Sequence, residues 1–117
     1  MFNSNQAIEF IQKNNDQKFF ILVMVADCEP CSLLKDDITD DALKDLGVEL
    51  YMTELDFLDE SDSVLLSMLN AQSFPFLALV DETRVVRRWA GYPETEAASR
   101  IAELRALISE AWSDSKC

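Results

Sequence analysis

The apolar positions fall into segments with two different periods. Within Ser4–Lys13, the residues Ala7, Ile8, Phe10 and Ile11 recur at helical spacing, and Asn3 or Ser4 can cap the segment. Asn14-Asn15-Asp16 stops it. Phe19 to Ala26 is a run of eight apolar residues without alternation, rich in β-branched and aromatic types. That pattern predicts a strand covered on both faces, hence a parallel pairing with helices on either side of a sheet. A helix is expected from about Glu29 through Leu33 and Leu34 to Ile38. Thr39 or Asp40 then caps a second short piece through Leu46, ended by Gly47 as a C′ residue. Val48–Asp56 is the second strand. Ser61 or Asp62 caps a helix carrying Val64, Leu65, Met68 and Leu69, and Phe76–Val80 is the third strand. Asp81-Glu82-Thr83 is short enough to turn it back into an antiparallel fourth strand, Arg84–Ala90. After Gly91-Tyr92-Pro93 a last helix runs from about Glu94 to Trp112. Its apolar stripe is Ala97, Ile101, Leu104 and Ile108, joined by Ala98, Leu107 and Ala111.

The order α-β-α-β-α-β-β-α predicts an α/β domain over residues 1–117, with 113–117 as a frayed tail. Two parallel strands joined by a right-handed crossover and one hairpin form a four-stranded mixed sheet with helices on both faces. No internal repeat, low-complexity tract or linker divides the chain.

Composition removes most reaction classes. The 117 residues contain no histidine, which excludes Ser-His and Cys-His pairs, His-containing zinc sites and imidazole shuttles. Only two glycines, Gly47 and Gly91, exclude a Gly-rich phosphate loop. No apolar run is long enough to span a bilayer. The net charge of −12 is unevenly placed. Residues 27–62 hold thirteen acids against Lys35 and Lys44, a local excess of −11, whereas residues 1–26 are neutral. Nucleic acid is disfavoured as a partner by that field. The stretch serves either as a solvated acidic face or as a selector of basic partners. The start, Met-Phe-Asn-Ser-Asn-Gln, lacks the basic and apolar regions of a signal peptide, so a cytoplasmic location is expected.

What remains for chemistry is cysteine. Three are too few for a disulfide-stapled scaffold, so Cys28-Glu29-Pro30-Cys31 reads as redox-active or metal-binding. It follows the buried strand directly, and Pro30 suits the first turn of the next helix. A thiol at a helix N-terminus faces unpaired N–H groups and the positive end of the dipole, both of which stabilise the nucleophilic thiolate. The second cysteine, one turn deeper, can resolve a mixed disulfide.

With this placement the sequence resembles the thioredoxin-like family. Cys28-Glu29-Pro30-Cys31 is similar to the family's C-x-P-C site. Ser73-Phe74-Pro75-Phe76 opens the third strand where the family carries a cis-proline facing the cysteines, and Gly91 is similar to the glycine after its last strand. The resemblance spans roughly Phe19 to Trp112 and implies a thioredoxin-like three-layer sandwich without the family's extra N-terminal strand. It also implies Cys28 as nucleophile and Cys31 as resolving thiol. Glu29, Pro30, Phe74 and Pro75 would be substrate-binding residues holding an extended chain. Three positions depart from thioredoxin itself. Asp27 stands where it has Trp, and Glu29 where it has Gly. Leu22 stands where it has a buried Asp that relays the resolving thiol's proton. Glu54 on the second strand is a candidate substitute, against an ordinary exposed carboxylate.

The reading is a thiol–disulfide oxidoreductase acting on protein disulfides in the reducing direction. Its partners would have basic surfaces, an external reductant would reset it, and it would need no cofactor beyond its own disulfide. The alternative is a binding or adaptor module of the same fold with slow redox chemistry. A zinc site ranks last, because one distant cysteine and carboxylates are the only further ligands. Cys117 is expected to be a non-catalytic thiol, and Trp89 and Trp112 to serve packing.

Overall fold

The computed structural model describes residues 2–38, 44–56 and 60–114. Among them, the elements are α1 (Ser4–Lys13), β1 (Lys18–Val25), α2 (Glu29–Asp37), β2 (Leu50–Leu55), α3 (Glu60–Leu69), β3 (Phe76–Asp81), β4 (Arg84–Ala90) and α4 (Ala97–Asp114). A 3-10 turn at Lys44–Leu46 precedes β2. The strands form one sheet ordered β2-β1-β3-β4. β1 runs parallel to β2, and β3 is antiparallel to both β1 and β4. The apolar run thus occupies a central strand with a helix layer on each side. Phe19, Ile21 and Val23 belong to one core, and Phe20, Leu22 and Met24 to the other. That two-sided burial is why the run does not alternate.

α1 and α3 cover the first face. Asn3, rather than Ser4, caps α1. Its side chain accepts the Gln6 N–H at 2.8 Å, while the Gln6 side chain accepts the Asn3 N–H at 2.9 Å. Ser4 is instead buried, sharing a hydrogen bond of 2.7 Å with the Ser61 hydroxyl. Ala7, Ile11, Leu65 and Leu69 complete this core. Ahead of α1, Phe2 makes one isolated parallel bridge to β2. The Phe2 N–H donates to the Met52 carbonyl at 2.9 Å, and the buried Thr53 hydroxyl donates to the Phe2 carbonyl at 2.8 Å.

Several boundaries differ from expectation. α3 begins at Glu60, so Ser61 and Asp62 lie inside its first turn rather than capping it, because Ser61 is drawn toward Ser4 and Asp62 is buried. Leu65 and Leu69 face the core, whereas Val64 and Met68 are exposed. β2 spans only Leu50–Leu55. α4 starts at Ala97 rather than Glu94, because Tyr92 is tied back to α2 and residues 93–96 are spent on the connection. Ala97 and Ala98 are therefore exposed, Ile101 is half-buried, and the helix packs on the core through Leu104 and Leu107, with Ile108 and Ala111 fully buried. α4 runs on to Asp114, so Ser113 and Asp114 are helical rather than tail. Thr39, Asp40 and Cys117 lie outside the described residues. In β4 the register slips between Leu79↔Arg87 and Val80↔Val85, leaving Val86 as the extra, exposed residue of a bulge.

Candidate functional site

β1 ends at Val25, and Asp27 turns the chain with φ +56°. Asp is among the few residues that visit this left-handed region readily, through its short polar side chain. Cys28 then becomes the N-cap of α2 in extended conformation, and its sulfur accepts the Cys31 N–H at 3.3 Å. A sulfur thus takes the place of the usual capping oxygen, at the positive end of the helix. Glu29 and Pro30 fill the first turn, where a proline leaves no donor unsatisfied. Cys28 and Cys31 are joined in a disulfide with Cα atoms 5.2 Å apart. Cys28 is half-buried. Cys31 is 3% exposed, in the core that holds Phe20, Leu22, Met24, Leu34 and Leu77.

The loop before β3 meets this pair. The Phe74–Pro75 bond is cis, and the Phe74 carbonyl oxygen lies 4.0 Å from the Cys28 sulfur. Pro75 is buried, and its carbonyl accepts the Gly91 N–H at 2.8 Å. Gly91 has φ +84°, a conformation that glycine adopts without a Cβ penalty. The connections before β3 and after β4 are therefore stitched together beside the disulfide.

A cleft of about 770 Å³ runs along Cys28 and is lined by Asp27, Glu29, Ser32 and Asp36, with Glu94 and Arg100 across it. Arg100 is already engaged. Its Nε and Nη2 donate to Asp37 at 2.6 and 3.2 Å, and its Nη1 donates to the Thr95 carbonyl at 2.8 Å. The Tyr92 hydroxyl donates to the same carboxylate at 2.6 Å. The Arg100 hydrogen bonds hold the Asp37 carboxyl below its usual range against the opposing cost of burial, with Tyr92 adding in the same direction. Burial, and then the hydrogen bond and negative charge of Asp37, push the Tyr92 phenol well up.

All six residues singled out at the site, Cys28, Glu29, Pro30, Cys31, Phe74 and Pro75, thus lie on two segments in contact through Cys28 and Phe74. Glu54 does not join them. It is exposed on β2, 3.9 Å from Lys35, as an ordinary surface carboxylate would be. Leu22 lies in the core shared with Cys31, and β1 offers no ionisable group between Phe19 and Ala26. The Asp37–Tyr92–Arg100 cluster and Glu94 were missed from the sequence. One signal existed: Cys31, Leu34 and Asp37 continue one buried stripe at three-residue spacing, so Asp37 had to face inward.

No family model matches the sequence, and no curated protein sequence does either. Solved structures do match it. Thioredoxin f2 of Chlamydomonas reinhardtii superposes with a TM-score of 0.66 at 15% identity, covering 94% of this chain and 93% of that one. The chain has the thioredoxin fold. The thioredoxin NaTrxh of Nicotiana alata gives 0.65 at 17% identity over 92% and 85% of the two chains. The thioredoxin of Aeropyrum pernix gives 0.60 at 19% over 86% and 82%. The thioredoxin fold is therefore reached here with less than a fifth of the residues in common, and the Cys28–Cys31 pair follows β1 within it.

Proposed function

We propose that this protein is a thiol–disulfide oxidoreductase that reduces disulfides of partner proteins with basic surfaces. The observation that carries the reading is the Cys28 sulfur held at the N-cap of α2 by the Cys31 N–H, with Cys31 one turn behind it and the Phe74 carbonyl in front. In the reduced protein, the Cys28 thiolate attacks a substrate S–S bond. A Cys28–substrate disulfide forms and one substrate sulfur leaves as thiolate. Cys31, once deprotonated, attacks the Cys28 sulfur, closing the internal disulfide and releasing the second substrate sulfur. Two electrons pass to the substrate, whose sulfurs take up two protons, and an external dithiol reductant restores the pair. No cofactor beyond the cysteines is needed. Glu29 and Pro30 on one side and Phe74 and Pro75 on the other would hold the substrate chain. A reducing compartment, the cytoplasm, suits this direction.

The test is reduction of a disulfide-linked peptide with dithiothreitol as the resetting reductant. Cys28→Ser should abolish the catalysed rate, while Cys31→Ser should accumulate a covalent adduct at Cys28 visible by mass. A full rate in Cys28→Ser would overturn the reading. The acidic cleft further predicts an on-rate for a basic peptide that falls between low and physiological salt, where screening shortens the field to about 8 Å. An acidic peptide binding equally fast would return the acidic stretch to a solvated surface. A second reading, a binding module with slow redox chemistry, is favoured by one observation: Cys31 is surrounded by apolar side chains, with Leu22 in the same core. In that case wild type itself would stall as the covalent adduct.

A further inference from the structure

The face of the sheet that carries the disulfide is not filled. A cavity of about 120 Å³ lies between α4 and the sheet. Buried Leu22, Pro75 and Leu77 line its sheet side, and Trp89, Leu104 and Leu107 close it laterally. Its exposed lining residues, Gly91 and Pro93 among them, place the mouth at the β4–α4 connection. Unfilled apolar volume destabilises a fold, and a bulkier residue at Leu104 or Leu107 would close it.

We propose that this cavity seats one apolar side chain, of leucine or phenylalanine size, belonging to the protein whose disulfide is exchanged at Cys28. The proposal rests on the oxidoreductase reading and names the kind of substrate it prefers. Size is the first argument, since a dry cavity of about 150 Å³ takes benzene. Charge is the second. Arg100, the cation in the lining, is committed to Asp37 and Thr95, and Glu103, the anion in the lining, is exposed to solvent, so the apolar interior favours a neutral group. Continuity is the third. Pro75 forms the cavity wall, and the carbonyl just before it faces the Cys28 sulfur. A substrate chain lying along Phe74–Pro75 therefore passes both the sulfur and the cavity. The acidic cleft meets the same connection at Glu94, so a basic residue and an apolar residue flanking the substrate cysteine would be read at separate places.

The experiment compares disulfide peptides that differ only in leucine or alanine at each position within two residues of the cysteine. Wild type should favour leucine at one position by about tenfold or more in KM, with kcat little changed. The cavity-filling pair Leu104→Phe with Leu107→Phe should lose that preference while reducing the alanine peptide as before. Less than twofold discrimination by wild type, or discrimination that survives filling, overturns the proposal. A second arm needs no turnover. In a Trp112→Phe background, benzene should shift Trp89 fluorescence saturably, and filling should remove the shift; no saturable shift overturns the cavity as a site. Failure to reduce either peptide, with the fluorescence shift intact, would count against the oxidoreductase reading and leave the apolar site standing.

Discussion

On the α1/α3 face, the rings of Phe2, Phe10, Phe19 and Tyr51 pack with centroids 4.5 to 6.0 Å apart. On the α2/α4 face the same strands support a disulfide, a buried carboxylate held by Arg100 and Tyr92, and an apolar void. Alternate residues of β1 serve each side. The first face fills its space with aromatic and aliphatic side chains around a few buried polar groups, Asp62 among them, and the second leaves an unfilled apolar volume on the side of the cysteines. The contrast teaches that stability and chemistry are divided between the two sides of one strand, residue by residue.

The largest expected effect tests that division directly. Phe19 is fully buried among the aromatic rings, so Phe19→Ala should cost about 3–5 kcal/mol in urea unfolding. The reduction potential of Cys28–Cys31 should not move. If the potential shifted in step with stability, the two faces would not be separable.

A smaller and pH-dependent effect is expected across the sheet. The Asp37 carboxyl titrates below its ordinary value in the folded protein, so its contribution is present above the unfolded value of about 3.9 and is lost as pH falls through the folded one. Asp37→Asn should therefore be less stable than wild type at pH 7, with the gap closing below about pH 4. Thermal unfolding at several pH values measures this, and a gap independent of pH would remove the ionic role. The Phe19→Ala deficit, by contrast, should persist at every pH where the protein folds.

The smallest effect concerns the sulfur itself. Asp27 and Glu29 flank Cys28 and oppose the helix end's stabilisation of its thiolate. Each term is on the order of 1 kcal/mol or less, so they nearly cancel. Asp27→Asn with Glu29→Gln should lower the Cys28 pKa and make the disulfide more oxidising. Thiolate absorbance at low salt, in a Cys117→Ser background, reads it. An unchanged or raised value would show that the acids do not set the poise of the site.

What the sequence disclosed followed from local physics. The unbroken run at Phe19–Ala26 marked the doubly covered strand, and the cysteine spacing after it marked the helix start. Pro75 at a strand entrance marked the loop that the structure places beside Cys28. What it concealed depends on distant partners. Asp37 sits in a run of acids that resembles a solvated surface, and its partners Tyr92 and Arg100 are 55 and 63 positions away. The same tie delayed the start of α4. The apolar void was illegible for a related reason: Leu104 and Leu107 fit a packed helical stripe as well as a cavity wall.

The bulge at Val86 bears on self-assembly. A sheet can grow only through edge strands that offer a regular ladder to another copy. At one edge, Phe2 already occupies hydrogen-bonding groups of β2. At the other, the bulge breaks the rhythm of β4, and Arg84, Arg87 and Arg88 stand exposed along it. A second β4 brought alongside would set guanidinium against guanidinium across a ladder that is already out of step. Sheet-to-sheet pairing is thus opposed at one edge by the Phe2 bridge and at the other by the bulge and by like charge.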